Sequence, residues 1–276
     1  MIRMKLIGGL GNQLFQYACG RSLALENNCD LLLDLTEFEN YTLHRPLITA
    51  FPLSSEVTFT RDYRKSKLKD FQSKIVGKYY QERGMSFDNK ILKLSKNFTL
   101  RGFFQSEKYF KKNATLIRAE LNLNTAMAVN ISKKWSKRPT AALHFRRGDY
   151  IEKTNFGMCD VNYYRTAISL LRAKVPDIQF AAFTNDRDWF LAESGLIDDV
   201  FLASDSSLSD IDEFCLMSAC DHFVIANSSF SWWAAWLGNN PNKIVIAPKP
   251  WFDCSTLDTS SVVPMSWIEL PKVMSS

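Results

Sequence analysis

The stretch Thr140-Ala-Ala-Leu-His-Phe-Arg-Arg-Gly-Asp-Tyr150 runs from apolar residues straight into charge. Residues 140–146 read as a buried strand. With a side-chain period of two, His144 and Arg146 share one face while Phe145 and Arg147 share the other. Gly148 lets the chain turn away, and Asp149 follows at the strand's carboxyl end. In open α/β sheets, ligands bind outside the carboxyl ends of the strands. Two fixed cations, a histidine and a carboxylate in that position point to an anionic ligand, most simply a phosphate. An arginine fork suits phosphate because it is planar, permanently charged and bidentate. An Arg146–Asp149 ion pair closing a turn is the competing explanation, and the sequence leaves both open. The tripeptide Arg147-Gly148-Asp149 is too short a signal for adhesion, and a strand end is the wrong context for it.

Downstream of this strand the chain alternates apolar strands (178–184, 199–203, 222–226, 243–247) with helices (160–174, 187–194, 207–219, 229–237). That alternation predicts a parallel sheet covered on both faces. Two more of its strand ends are polar. At Thr184-Asn185-Asp186 a carboxylate is placed to accept from a base edge such as that of guanine, or to cap the next helix. At Asn227-Ser228-Ser229, just before Phe230, Trp232 and Trp233, hydroxyls meet a helix N-terminus, a natural phosphate cradle. The Asp-x-Asp pairs 186/188 and 210/212 fall in or at the start of helices and read as surface acid. With arginines available to neutralise phosphate, no metal is required.

The first half opens with a strand at 4–7, the turn Gly8-Gly-Leu-Gly-Asn-Gln13, a helix over 14–27 and a strand at 30–34. This is a Rossmann-like start, whose turn brings backbone N–H groups to a ligand. Gly9-x-Gly11 with Asp34 imitates a dinucleotide fingerprint, but the third glycine falls at Leu14, where helix and strand should pack without a side chain. Asn12 and Gln13 are either ligand amides or helix caps. Residues 41–97 read only as short helices and loops. A strand at 98–104 then leads to Ser106, an N-cap for a helix over 107–112. A helix over 126–135 ends in the polar, proline-closed segment 136–139, which serves as the linker between domains 1–138 and 139–276.

The chain has 276 residues, 46% hydrophobic and 23% charged, with a net charge of +5, an ordinary soluble globular composition. Its six cysteines form no C-x-x-C pair, so reduced thiols are expected, with Cys19 and Cys215 buried. The N-terminus lacks the apolar region of a signal peptide, and no run reaches the ~18 apolar residues of a membrane span. A cytoplasmic protein follows. The basic run Arg61, Arg64, Lys65, Lys67, Lys69, Lys74 and Lys78 is a solvated face or a contact with an anionic membrane or lipid-linked partner. No nucleic-acid partner is expected.

Four segments together resemble bacterial α-1,2-fucosyltransferases, glycosyltransferase family 11. They are Gly8-Gly-Leu-Gly-Asn-Gln-Leu-Phe-Gln-Tyr-Ala18, Gly102-Phe-Phe-Gln-Ser-Glu-Lys-Tyr-Phe110, His144-Phe-Arg-Arg-Gly-Asp-Tyr150 and Asn227-Ser-Ser-Phe-Ser-Trp-Trp-Ala-Ala-Trp236. The H-x-R-R-G-D motif is shared with α-1,6- and protein O-fucosyltransferases; the segment around Ser228 is more specific. The resemblance implies a GT-B-like fold of two Rossmann-like domains facing a cleft, with the C-terminal domain binding GDP-β-L-fucose. It also implies no metal or other cofactor, and inverting transfer to the 2-hydroxyl of a galactose-terminated glycan of the O-antigen kind. His144 and Asp186 would then meet guanine, and Arg146 the β-phosphate. Ser228 and Ser229 would lie near the diphosphate and Asn12 at the donor-side rim. The remaining donor-side candidates are Gly9, Gly11, Gln13, Arg147, Asn185, Asn227 and Phe230.

In that resemblance Arg146 would be the catalytic cation, stabilising the leaving phosphate. Asp149 is the first choice of general base by position, with Glu152 and Glu213 as alternates. The glutamate that serves as base in the α-1,6 relatives corresponds here to Thr154, so that role does not carry over. The competing functions are fucosyl transfer of another linkage, a nicotinamide-dependent oxidoreductase, and a non-catalytic binder of GDP-sugar or glycan.

Overall fold

A computed structural model describes residues 1–135, 137–148, 156–193 and 199–273. Ser136, Asp149, Glu152 and Thr154 lie outside the described residues. The chain divides into two compact units, Met1–Asn122 with Leu257–Pro264, and Leu123–Thr256 with Met265–Ser276.

In the first unit the elements run β1 (Ile2–Lys5), α1 (Leu10–Glu26), β2 (Leu31–Asp34), β3 (Val57–Thr60), α2 (Tyr63–Ile75), β4 (Tyr79–Gln81), β5 (Thr99–Arg101) and α3 (Ala114–Glu120). The sheet order is β3-β2-β1-β5-β4, every pair parallel. The expected strand–turn–helix–strand opening is present, but α1 begins at Leu10 rather than 14. Gly9 is its N-cap, and the N–H groups of Asn12 and Gln13 close the first turn on Gly9 O at 3.0 and 3.1 Å. Helix and sheet approach closely at Gly20, where an added Cβ would meet Leu31 Cδ1 at 2.9 Å; Leu14 is simply buried.

Asp34 is equally enclosed. It pairs with Arg3 and accepts from the Ser66 and Thr36 hydroxyls, each at 2.7 Å. Burial pushes its carboxyl up, but the Ser66 and Thr36 hydrogen bonds and the Arg3 charge outweigh that and hold it below the usual range. A carboxylate so used does not face a ribose, which removes the dinucleotide reading. Ser106 caps, as expected, but the helix it starts is a short 3-10 turn, Glu107–Tyr109. Within 41–97 the fold places helical segments, as expected, in two 3-10 turns, Leu47–Ala50 and Ile91–Lys93, and in α2, together with the strands β3 and β4, which were not foreseen.

The second unit runs α4 (Ala126–Trp135), β6 (Thr140–Phe145), α5 (Val161–Lys174), β7 (Gln179–Thr184), α6 (Arg187–Glu193), β8 (Val200–Leu202), α7 (Asp210–Ser218), β9 (His222–Val224), α8 (Ser229–Leu237), β10 (Val245–Lys249) and β11 (Ile268–Pro271). Its sheet is again parallel, ordered β11-β10-β9-β6-β7-β8. The expected strands and helices are all there; β11, a half-exposed edge strand, is additional.

The division between units falls at 122/123 instead of the expected 138/139, because α4 belongs to the second unit. It packs on α7, its Trp135 ring meets Phe201 edge-on at 5.1 Å, and Gln179 Nε2 donates to Trp135 O at 2.8 Å. Residues 257–264 return to the first unit, where Ser261 O accepts from Ser106 Oγ at 2.7 Å. Cys19 and Cys215 are buried thiols.

Candidate functional site

In each sheet the chain builds outward on one side of a central strand and then crosses to the other. The second unit proceeds β6, β7, β8 and then crosses to β9, which pairs with β6 through Leu143↔Val224. The switch point therefore lies between the carboxyl ends of β6 and β9, where crossover loops diverge and leave a crevice. Those two ends carry His144-Phe-Arg-Arg and Asn227-Ser-Ser-Phe. Topology thus brings together the two most chemically loaded segments of the sequence.

At this point His144 is buried. Its Nδ1 lies 2.8 Å from Ser231 Oγ, its ring centroid is 6.1 Å from that of Phe230, and its carbonyl accepts from Tyr164 Oη at 2.8 Å. Ser231 Oγ also donates to Ser228 O at 3.3 Å. Nδ1 is thus engaged by Ser231; in the Nδ1–H tautomer the ring donates to Ser231 Oγ, which passes its own hydrogen to Ser228 O, and Nε2 is an acceptor. Burial, and then the Arg146 charge, push the imidazole down to about 3, so it is neutral at physiological pH. Arg146 acts on Glu213 as well. Burial raises that carboxyl, while a hydrogen bond from the Ser204 hydroxyl and the Arg146 charge partly oppose the rise.

Helix α8 starts beside these groups. Ser228 is its N-cap in extended conformation and its hydroxyl makes no capping bond. The first turn presents N–H groups that have no intrahelical acceptor, together with the positive end of the helix dipole. A neutral acceptor, an arginine and a helix N-terminus can together hold an anion joined to a polar ring.

Arg147 takes the other face, as its parity predicts. Its backbone N–H donates to Asn185 Oδ1 at 3.0 Å, its Nε pairs with Asp186 Oδ2 at 3.4 Å, and its guanidinium lies 4.1 Å from the Trp189 ring centre. Asp186 Oδ1 meanwhile caps α6 through Trp189 N at 3.2 Å. Asn185 and Asp186 therefore brace the loop after β6, and Gly148 is needed there because a Cβ would stand 2.3 Å from Asn185 Nδ2. Asn227 is a brace as well: its Nδ2 donates to Phe156 O and Gly157 O at 2.8 and 3.0 Å. Neither role was visible in the sequence, since both join segments far apart in the chain. Of the Asp-x-Asp residues, Asp212 closes a capping box with Ser209.

The first unit has its own switch point, between β1 and β5. There Asn12 Oδ1 accepts from Gln105 Nε2 at 2.7 Å. Gly8 has φ +89°, and a side chain on it would strike Asn12. Gly9 faces His44, whose ring would lie 3.4 Å from an added Cβ. Gly11 is buried in the first turn of α1. Gln13 departs from its expected donor-side role. It is fully buried, donates to Gly8 O and Arg45 O, each at 2.8 Å, and accepts from Ile48 N at 3.0 Å. An amide so engaged is a staple for the 45–48 segment. Gln16 does the same between Ile7 N and Gly102 O.

A surface hollow of about 330 Å³, lined by Lys137, Arg138, Pro139, Asp221, His222 and Asn240, lies at the opposite, amino-terminal end of the second sheet. It gathers none of the polar strand ends.

The Escherichia coli protein "Alpha-1,2-colitosyltransferase" is 31% identical, over 97% of this chain and 98% of its own length. The Escherichia coli "O-antigen biosynthesis glycosyltransferase WbnK" is 28% identical, over 96% and 99%. Among solved structures, NodZ alpha-1,6-fucosyltransferase soaked with GDP-fucose superposes with a TM-score of 0.51 over 89% of this chain and 94% of that one, at 16% identity. That likeness bears on the fold, which is GT-B-like as the motifs implied. The family model described as Glycosyl transferase family 11 matches residues 1–270. This chain belongs to glycosyl transferase family 11.

Proposed function

We propose that the protein transfers L-fucose from GDP-β-L-fucose to the 2-hydroxyl of a terminal galactose, with inversion and without a metal ion. The observation that carries this is the N-terminus of α8 set at the switch point beside the His144–Arg146 strand end. In inverting transfer the acceptor oxygen attacks the anomeric carbon from the face opposite the diphosphate. The C–O bond to the leaving phosphate breaks through an oxocarbenium-like state, and negative charge grows on the β-phosphate. Arg146 and the first-turn N–H groups near Ser228 and Ser229 are suited to that charge, a term worth ~2.7–4 kcal/mol per well-placed donor. A neutral His144 with an acceptor at Nε2 suits the N–H edge of guanine, and Asp186 is assigned a second contact with it.

The acceptor hydroxyl gives its proton to a carboxylate. Asp149 holds the first place, with Glu152 and Glu213 as alternates. Burial raises the carboxyl of Glu213, which makes it a stronger base than an ordinary glutamate. The acceptor is assigned to lipid-linked glycan at the cytoplasmic face of a membrane. Among the described residues, no helix is long and apolar enough to cross one.

A second reading is favoured by one specific observation, the 31% identity to a colitosyltransferase. Colitose is fucose without its 3-hydroxyl, so the same leaving group and geometry would serve. The test is release of GDP from GDP-fucose and from a colitose donor, with a panel of galactosides, with and without EDTA. Wild type should turn over one donor in a galactoside-dependent, EDTA-resistant manner. Arg146→Ala should lower turnover by about 10²–10³-fold. Full activity of Arg146→Ala would remove the arginine from the mechanism, and loss of activity in EDTA would remove the metal-free reading.

A further inference from the structure

Helix α2 is built inside out. Its inner face is polar. Ser66 is buried against Asp34 and Thr36, Asp70 pairs with Arg3 and Lys5 at 2.8 and 2.7 Å, and the Ser73 hydroxyl meets that of Thr99 at 3.1 Å. Its outer side carries an apolar stripe among exposed basic residues. Leu68, Phe71 and Ile75 recur at the i, i+3, i+7 spacing of a single stripe and are 57%, 64% and 68% exposed; Val76, just beyond the helix, is 65% exposed. A soluble surface seldom gathers its large apolar side chains in one stripe on a helix, and such a patch marks an interaction site.

The charges around the stripe indicate what meets it. Residues 61–78 hold seven Lys or Arg against two Asp, and Asp70 is engaged inward. That excess of five equals the net charge of the whole chain, so the rest of the protein is neutral in sum. Lys67 and Lys74 are exposed beside the stripe, each over a tyrosine ring, Tyr63 at 4.6 Å and Tyr79 at 4.9 Å. A second copy of the chain would bring two basic faces together, which like-charge repulsion opposes. An apolar stripe with lysines at its margins, two of them resting on tyrosine rings, matches an anionic bilayer surface, where the stripe enters the acyl boundary and the lysines stay among the headgroups. At 13 residues the helix is about 20 Å long, too short to span and suited to lying flat.

We infer that α2 docks the protein on anionic lipid, with Leu68, Phe71 and Ile75 inserted and the surrounding lysines and arginines contacting phosphate headgroups. The inference deepens the proposed use of lipid-linked acceptors and rests on that reading for its purpose. Its test contains neither donor nor acceptor, so the two can fail separately. Full-length protein is sedimented with vesicles of phosphatidylethanolamine and phosphatidylglycerol, and with phosphatidylcholine vesicles, at low and high salt. Wild type should bind the anionic vesicles, lose most of that binding in phosphatidylcholine, and weaken as salt rises. The exposed-site variant L68Q/F71Q/I75Q should bind at least about tenfold more weakly while keeping its circular dichroism spectrum and melting temperature. The charge variant K67E/K69E/K74E should lose binding to anionic vesicles.

Failure of wild type to bind anionic vesicles would overturn the inference. So would equal binding by L68Q/F71Q/I75Q. Wild type eluting as a dimer while that variant elutes as a monomer, with no vesicle binding in either, would assign the stripe to a copy of the chain instead.

Discussion

Replacing His144 by glutamine removes a buried imidazole that the fold holds neutral. His144 is 5% exposed, its Nδ1 is engaged by Ser231, and burial and the Arg146 charge bring its pKa to about 3. In an unfolded chain a histidine titrates near 6.5. Because the folded value is the lower one, the unfolded chain takes up the proton first as pH falls. Stability is therefore complete above about pH 6.5 and declines between there and about pH 3, at up to ~1.4 kcal/mol per pH unit. From pH 7.5 to pH 5 this amounts to about 2 kcal/mol.

His144→Gln should lose about 2 kcal/mol less than wild type over that interval, since glutamine keeps an amide for Ser231 but has no proton to gain. Urea unfolding followed by tryptophan fluorescence isolates the effect, because all seven tryptophans lie in the second unit, His144's own. His222, which burial also holds low, is present in both proteins, so only the difference between the two slopes counts. Parallel pH dependences for variant and wild type would refute the neutral, buried imidazole, and with it the acceptor role of Nε2.

Gln13→Leu strands the hydrogen-bonding groups of Gly8, Arg45 and Ile48, and should cost about 3 kcal/mol of stability in denaturant melts. GDP affinity of the protein that remains folded should be unchanged; a weaker affinity would return Gln13 to the donor site. Asp186→Asn keeps a cap for α6 and should reduce the preference for GDP over ADP at least about tenfold in competition binding. An unchanged preference would leave Asp186 as a brace for Arg147 and a helix cap.

Much of the second half was legible because its strands are apolar runs, helix α5 buries one face in the usual way and α8 is apolar throughout, so local pattern and burial agree. The parity of His144, Arg146 and Arg147 came from the same regularity, and Arg147 does turn away from the other two, onto Trp189. Residues 41–97 were opaque for the opposite reason. The buried face of α2 is serine and aspartate, while leucine, phenylalanine and isoleucine share its exposed side with lysines, so no pattern rule marks which side is inside. The linker expectation failed because a polar, proline-closed segment looks like a boundary. What holds α4 to the second unit is the Trp135–Phe201 contact and the Gln179 amide, partners 44 or more residues away.

Residue type and spacing alone carried the family, the parallel α/β class and the three charged or hydroxylated strand ends. These depend on local periodicity and on chemistry that a side chain keeps wherever it sits. Tertiary structure decided which of those groups meet and which are occupied. Strand order joins the ends of β6 and β9 and makes one site of two distant motifs. Hydrogen bonds between remote segments turn Gln13, Asn227 and Asp34 from ligand candidates into internal braces. A polar side chain has few bonds to give, and only the folded contacts determine whether the protein itself has already taken them.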